Sequence, residues 1–360
     1  MSRRWKDWCI LAIVASVSTG ALWVMVGMQT IYANFDGPYY AVIAKCLYDS
    51  QCARELFSFS VPLEYYPAHF PLYPILIRLT GLIAHIGLLQ AGAVVGLVAT
   101  ACAAVVLYKL VEDNKWGNPL WVSLAWLFFW PRMWAVRSVG SPETLLSLGI
   151  FTSVYFFVKK NFWLAAMAGM FAVLSKPPGI LLFIAYGLVL AVNSIKTKKV
   201  EWKAWPLVLM PLALMGLFGF YQMQTGDFWA YFHSGDNIHL QYLPFRIFDS
   251  NQAWVGTFWL EDVLWIYLIG GIGIVRAIKK APVLGWFGAI FYVTILFVSH
   301  RDIARYSLPI VPVVLVGLSD VLERREVRWA MGLLLIPMFF YSVNFLLHNT
   351  AGIANWQPFL

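Results

Sequence analysis

Residues 9–30 read CILAIVASVSTGALWVMVGMQT, and a few positions later comes Phe35-Asp36-Gly37-Pro38-Tyr39-Tyr40. The first stretch is apolar and long enough to cross a hydrocarbon core of about 30 Å as a helix. It follows Arg3, Arg4 and Lys6 and carries no small-residue cleavage site, so it is expected to stay in place as a signal anchor. The second stretch sets an aspartate beside aromatic rings at the bilayer surface. In a chain with only 12% charged residues, a carboxylate held there is costly and points to chemistry or ligand binding.

The rest of the chain repeats the apolar pattern. Its 360 residues are 61% hydrophobic, with a mean hydropathy of +0.70, which excludes a water-soluble globule. Apolar runs fall near residues 9–30, 71–86, 88–111, 119–135, 142–158, 162–175, 178–195, 204–222, 257–277, 282–299, 306–321 and 329–347. Barrel-type alternation is missing, so the fold class is an all-α polytopic membrane protein of about 11–13 transmembrane helices. Residues 1–360 form one integral-membrane domain. The two large outside loops, 31–70 and 223–256, are too small to fold alone.

The net charge of +8 reflects 26 Lys and Arg against 18 Asp and Glu, scattered over short loops instead of gathered on one face, so no nucleic acid is expected. Arg3/Arg4/Lys6, Lys109/Lys115, Lys159/Lys160, Lys196/Lys198/Lys199/Lys203, Arg276/Lys279/Lys280 and Arg324/Arg325/Arg328 mark the cytoplasmic side, together with the N-terminus. That pattern fails if 71–86 crosses fully, so this proline-rich segment (Pro67, Pro71, Pro74) is expected to re-enter or return within 71–111. Cys46 and Cys52, both in the first loop, are placed either to bridge or to remain free thiols.

Four outside connections carry the polar chemistry. Asp36, with Tyr39, Tyr40, Tyr66 and His69, offers an acid and an imidazole; Asp36 is either a general base or the cap of a short helix starting at Gly37-Pro38. Lys176, between two apolar half-runs, needs an anionic partner: a lipid-linked phosphate, or Glu143 or Asp36. In His300-Arg301-Asp302-Ile303-Ala304-Arg305-Tyr306 the i, i+4 spacing sets Arg301 and Arg305 on one helical turn. There they either bind a phosphate or are partly neutralised by Asp302. Arg132 and Arg137 cluster with Glu143, which also suits a helix N-terminus. The loop from Gln224 holds Asp227, His233, Asp236 and His239, without the tight spacing of a metal site, so no metal is expected. Walker A, GxGxxG and GxSxG patterns are missing in suitable contexts, and no cofactor is expected.

These motifs, taken in order, resemble the membrane-embedded GT-C glycosyltransferases, and within them the GPI mannosyltransferase II type and its bacterial relatives. Phe35-Asp36-Gly37-Pro38-Tyr39-Tyr40 looks like the family's aspartate-bearing first loop, and Pro67-Ala68-His69-Phe70-Pro71-Leu72-Tyr73-Pro74 opens its proline-rich stretch. Gly140-Ser141-Pro142-Glu143-Thr144, Ser175-Lys176-Pro177-Pro178-Gly179, Gly226-Asp227-Phe228 and Arg305-Tyr306 followed by Pro309 resemble the later motifs. The resemblance implies a GT-C bundle with short extracytoplasmic interfacial helices in a bacterial inner or plasma membrane. It implies inverting transfer of a sugar, commonly mannose, from a polyprenyl-phosphate donor to a glycan, glycolipid or protein acceptor. Asp36 is then the base, Lys176, Arg301 and Arg305 hold the donor phosphate, and Tyr39, Tyr40, Tyr66, His69, Glu143, Asp227, His233, His300 and Tyr306 line the substrate. The rival reading is a polytopic transporter or flippase of lipids or lipid-linked sugars.

Overall fold

A computed structural model describes residues 3–57, 61–235, 240–252, 254 and 260–360. It is helical, with two isolated bridges and no strand among the described residues. Among the described residues, five helices are long and apolar enough to cross a membrane: Arg4–Val26, Leu88–Asn114, Pro177–Thr197, Trp202–Thr225 and Arg325–Leu347. Shorter apolar helices span Leu72–Ala84, Pro119–Phe128, Glu143–Val158, Phe162–Ser175, Pro282–Leu296 and Ile303–Gly317. The chain is an integral membrane protein. The expected run at 119–135 stops at Phe128, because Pro131 starts a separate short helix, Pro131–Val136.

Charged loops far apart in sequence meet at one end of the bundle. Arg4 pairs with Glu112, Lys159 with Asp113, Lys160 with Glu201 and Arg276 with Asp320. The opposite end carries the first loop, closed by the C-terminal segment. Asn34 bridges Thr350, the Ala351 amide donates to the Ala33 carbonyl, and Phe57 packs on Phe359. Helix Leu72–Ala84 begins and ends at this second end, since it starts just after His69 and leads into Gly87, which lies against Phe359 and Leu360. Its 13 residues reach about 20 Å, too short to cross. The segment therefore returns, and Leu88–Asn114 makes the crossing to Glu112. Cys46 and Cys52 are joined by a disulfide at the end of the helix Gly37–Cys46.

Two short helices create room for a site. Glu143–Val158 and Phe162–Ser175 form a hairpin anchored by Lys159 and Lys160 at the charged end. With 16 and 14 residues they extend about 24 and 21 Å, less than the roughly 30 Å of a hydrocarbon core. Their other ends, Glu143 and Ser175, consequently stop inside the protein. Small residues let the backbones close up, as where Gly149 meets Ala172.

The tightest such approach is at Gly317, where an added Cβ would sit 2.0 Å from the Gly273 carbonyl oxygen. Gly317→Ala is expected to lower stability by about 1–3 kcal/mol through overpacking. Gly332→Ala, with nothing within 4 Å, is expected to be neutral or slightly stabilising. Unfolding midpoints in detergent check both; equal midpoints for the two variants would refute the packing claim.

Candidate functional site

Asp36 is positioned by a strained, well-tied stretch. Asn34 is fully buried and donates from Nδ2 to the Leu346 carbonyl at 2.6 Å. Phe35 follows with φ 51°, a left-handed conformation that a bulky residue adopts only when its surroundings impose it. Asp36 then occupies the N-cap position of Gly37–Cys46, yet its side chain makes no capping bond. It turns inward and accepts from Arg305 Nη2 at 3.0 Å. Burial would raise the Asp36 carboxyl, but the Arg305 guanidinium foremost, aided by His69 and Lys176, outweighs burial and holds it below its ordinary value.

Arg305 extends the contact into a string. Its Nε donates to Glu143 Oε1 at 2.7 Å, the same oxygen that accepts from Lys176 Nζ at 2.8 Å. Glu143 is only 5% exposed and begins its helix, so the helix N-terminus favours the carboxylate as well. The Phe35 ring lies 4.4 Å from the Arg305 guanidinium. Lys176 reaches in because Pro177 forces it into extended backbone between the end of Phe162–Ser175 and the turn Pro177–Ile180. Segments at 36, 143, 176 and 305 thus converge on one cavity of about 280 Å³. Its polar end holds Asp36, His69, Glu143, Lys176 and Arg305, and its far walls are apolar, including Leu146, Leu181, Phe291, Ile295 and Leu308.

No family model matches the sequence, and no curated protein does. Solved structures do. ArnT from Cupriavidus metallidurans, bound to undecaprenyl phosphate, superposes with a TM-score of 0.57 at 16% identity, over 91% of this chain and 62% of that one. The Archaeoglobus fulgidus oligosaccharyltransferase in complex with Zn and sulfate gives 0.51 at 13% identity, over 96% and 54%. AglB from the same organism, in complex with an inhibitory peptide and a dolichol-phosphate, gives 0.54 at 14% identity, over 99% and 57%. The chain has the fold of the GT-C membrane glycosyltransferases. It spans only about half to three-fifths of the length of those structures.

Within this GT-C fold the expected site residues divide into groups. Asp36, Tyr40, His69, Glu143, Lys176, Arg305 and Tyr306 line the cavity. Tyr39 stands behind the wall, its ring against Tyr65, Tyr66 and His69. His300 supports Tyr306 edge-on at 5.2 Å. Arg301 is exposed and outside the lining; the helical turn expected to align it with Arg305 starts only at Ile303. Asp302 meets Arg132 at 3.1 Å. Arg137 is fully buried on Leu127, Thr19 and Ser18, away from Glu143.

Tyr66, Asp227 and His233 line a second cavity of about 250 Å³ with Asp49, Arg54 and Glu64. His233 Nδ1 and Asp227 Oδ2 are 2.6 Å apart, and this bond holds the Asp227 carboxyl below its ordinary value. The two cavities share a thin wall: Tyr66 and Pro67 face one, Ala68 and His69 the other. Asp236 and His239 lie outside the described residues; among the described residues no cluster of three metal-ligating side chains occurs. Sequence reading missed Ser147 and Thr294 as lining residues. Ser147, one helical turn after Glu143, was recoverable from spacing.

Glu143→Gln removes one charge from a nearly buried string and is expected to destabilise by about 3–5 kcal/mol. In that background Lys176→Met is expected to cost less than it does alone, because the lysine has already lost its carboxylate partner. A double-mutant cycle of unfolding midpoints measures the coupling; simple additivity would show that the two groups act independently.

Proposed function

We propose that this protein is an inverting glycosyltransferase, moving a sugar, with mannose the leading candidate, from a polyprenyl-phosphate donor to a hydroxyl acceptor at the extracytoplasmic face. The observation that carries the reading is a single cavity with a base-competent carboxylate and a cation at opposite ends of one string of contacts, and apolar walls beyond. Asp36 and Lys176 are separated by Arg305 and Glu143. A donor whose phosphate lies at Lys176 therefore presents its anomeric carbon toward Asp36. The acceptor hydroxyl attacks from the Asp36 side and gives up its proton to that carboxylate, the new C–O bond forms, and the C1–O bond breaks with its electron pair leaving on the phosphate.

Lys176 suits the phosphate better than Arg305 does. Its side chain is 22% exposed against 10%, and it holds one carboxylate where Arg305 holds two. Arg305 keeps Asp36 ionised and aimed, and adds positive charge as the phosphate departs. The apolar walls offer a groove for the polyprenyl chain, and the second cavity, with Asp227 and His233, offers hydrogen-bond partners to a polyhydroxylated acceptor. The meeting of the lysine-rich loops at the far end supports a cytoplasmic N-terminus and a site on the opposite face. That the donor bond is already activated removes any need for a nucleotide at this step.

Purified protein incubated with labelled polyprenyl-phosphate sugars, followed by mass analysis, tests the reaction and identifies the sugar. Asp36→Asn is expected to lower transfer by about 10²–10⁴-fold with donor binding retained. Lys176→Gln is expected to raise the donor KM about tenfold, the loss of one charge-assisted contact. Undiminished transfer by Asp36→Asn would reject Asp36 as the base, and movement of lipid without any transfer would favour the transporter.

A further inference from the structure

Arg132 and Asp302 form an ion pair outside the cavity lining, and the reaction scheme leaves it without a role. Arg132 Nη2 lies 3.1 Å from Asp302 Oδ1, with the side chains only 15% and 16% exposed. As a packing device the pair is poor. The contact lacks the alignment of a hydrogen bond, and Arg132 Nε and Nη1 are buried without a hydrogen-bond partner among the described residues. Apolar side chains of similar volume often hold such a space at equal or lower cost.

The position of the pair is more informative than its geometry. Asp302 stands three residues before Arg305, and its carbonyl accepts from the Arg305 amide at 2.9 Å, which sets the two side chains on one helical turn. Arg305 already spans Asp36 Oδ2 and Glu143 Oε1. Asp302 is therefore a third carboxylate beside one guanidinium, and Arg132 is the cation that takes it up. Arg132 is fixed in turn from the Asp36 side. Its guanidinium lies 3.6 Å from the centre of the Phe345 ring, Phe345 meets Phe35 at 5.4 Å, and the Phe35 ring lies 4.4 Å from the Arg305 guanidinium. Arg132, Asp302, Arg305, Phe35 and Phe345 thus close a ring of contacts around the turn that carries Asp36.

We propose that Arg132 is a positioning residue for the transfer: by holding Asp302 it leaves Arg305 to Asp36 and Glu143, and so keeps the base ionised and aimed. The assignment rests on the glycosyl-transfer reading. Without Arg132, the cation that acts next on Asp302 is Arg305. Drawn toward Asp302, Arg305 gives up part of its hold on Asp36, and burial pushes that carboxyl up. The charges acting on Asp36 are Arg305, His69 and Lys176, which lower it, and Glu143, which raises it. The phenols of Tyr39, Tyr40, Tyr65 and Tyr306, and the Asp302 carboxyl, also sense its charge. Arg132 itself faces Asp302, Asp262 and Tyr341. A carboxylate base loses activity as pH falls through its own value, so raising that value moves the acid limb of the rate upward.

The Asp36 carboxyl is titrated in the resting protein by infrared difference spectroscopy, its band assigned with Asp36→Asn. Arg132→Met, which removes the charge and fills the space of the stem, is expected to move the midpoint up by about one pH unit. The acid limb of transfer is expected to follow, with donor KM little changed because Lys176 keeps its contact with Glu143. Arg132→Lys, which keeps the charge, is expected to move the midpoint less. Adding Asp302→Asn to Arg132→Met removes the competing carboxylate and is expected to bring the midpoint back toward wild type. Asp302→Asn alone is expected to leave it no higher than wild type, a check that holds even where detergent melting shows that Arg132→Met does not fold. A merely structural role predicts a wild-type midpoint in Arg132→Met; that result, or a rise in Asp302→Asn, overturns the proposal. Wild-type protein that transfers no sugar from any donor, with the infrared shift present, overturns the glycosyl-transfer reading and leaves the charge assignment standing.

Discussion

The charge string Asp36–Arg305–Glu143–Lys176 is the constraint on which the site depends. Each ion taken from water costs several kcal/mol even after relaxation, so none of the four is tenable alone at this depth. Together they cancel, two carboxylates against two cations. Cancellation requires that segments spread over 36 to 305 in sequence meet within hydrogen-bond distance. The string consequently acts as a register mark for the bundle.

Helix length gives the string its place. Had Glu143–Val158 and Phe162–Ser175 been full spans, Glu143 and Lys176 would reach the surface and meet water. Because they are short, the charges lie in a recess, with lower dielectric and stronger interactions. The first loop must then descend to them. Its tie to the C-terminal segment through Asn34 and Thr350, and the strained Phe35, bring Asp36 down to Arg305.

What the sequence made legible follows from the same physics. Apolar runs depend only on the bilayer, so the helical class was readable. Asp36, Glu143 and Lys176 were readable because charges in apolar surroundings are conspicuous. Arg301 was misplaced because its i, i+4 relation to Arg305 presumed a helix that starts two residues later, at Ile303. The pairing of Arg132 with Asp302 depends on tertiary contacts that no spacing encodes. Phe291 and Ile295 look the same in sequence whether they face lipid or a cavity, so the apolar wall was invisible.

Charge conservation links the proposed steps. An empty site is neutral, and a phosphodiester donor adds one negative charge. During transfer the acceptor proton stays on Asp36 while the leaving phosphate gains the charge the carboxylate has lost, so the recess is spared any net change at the moment of bond breaking. Only when the proton departs does the site hold two restored carboxylates beside a more highly charged lipid phosphate. Repulsion then weakens the hold of Lys176 on the product, so in the proposed scheme loss of the proton is coupled to release of the spent lipid.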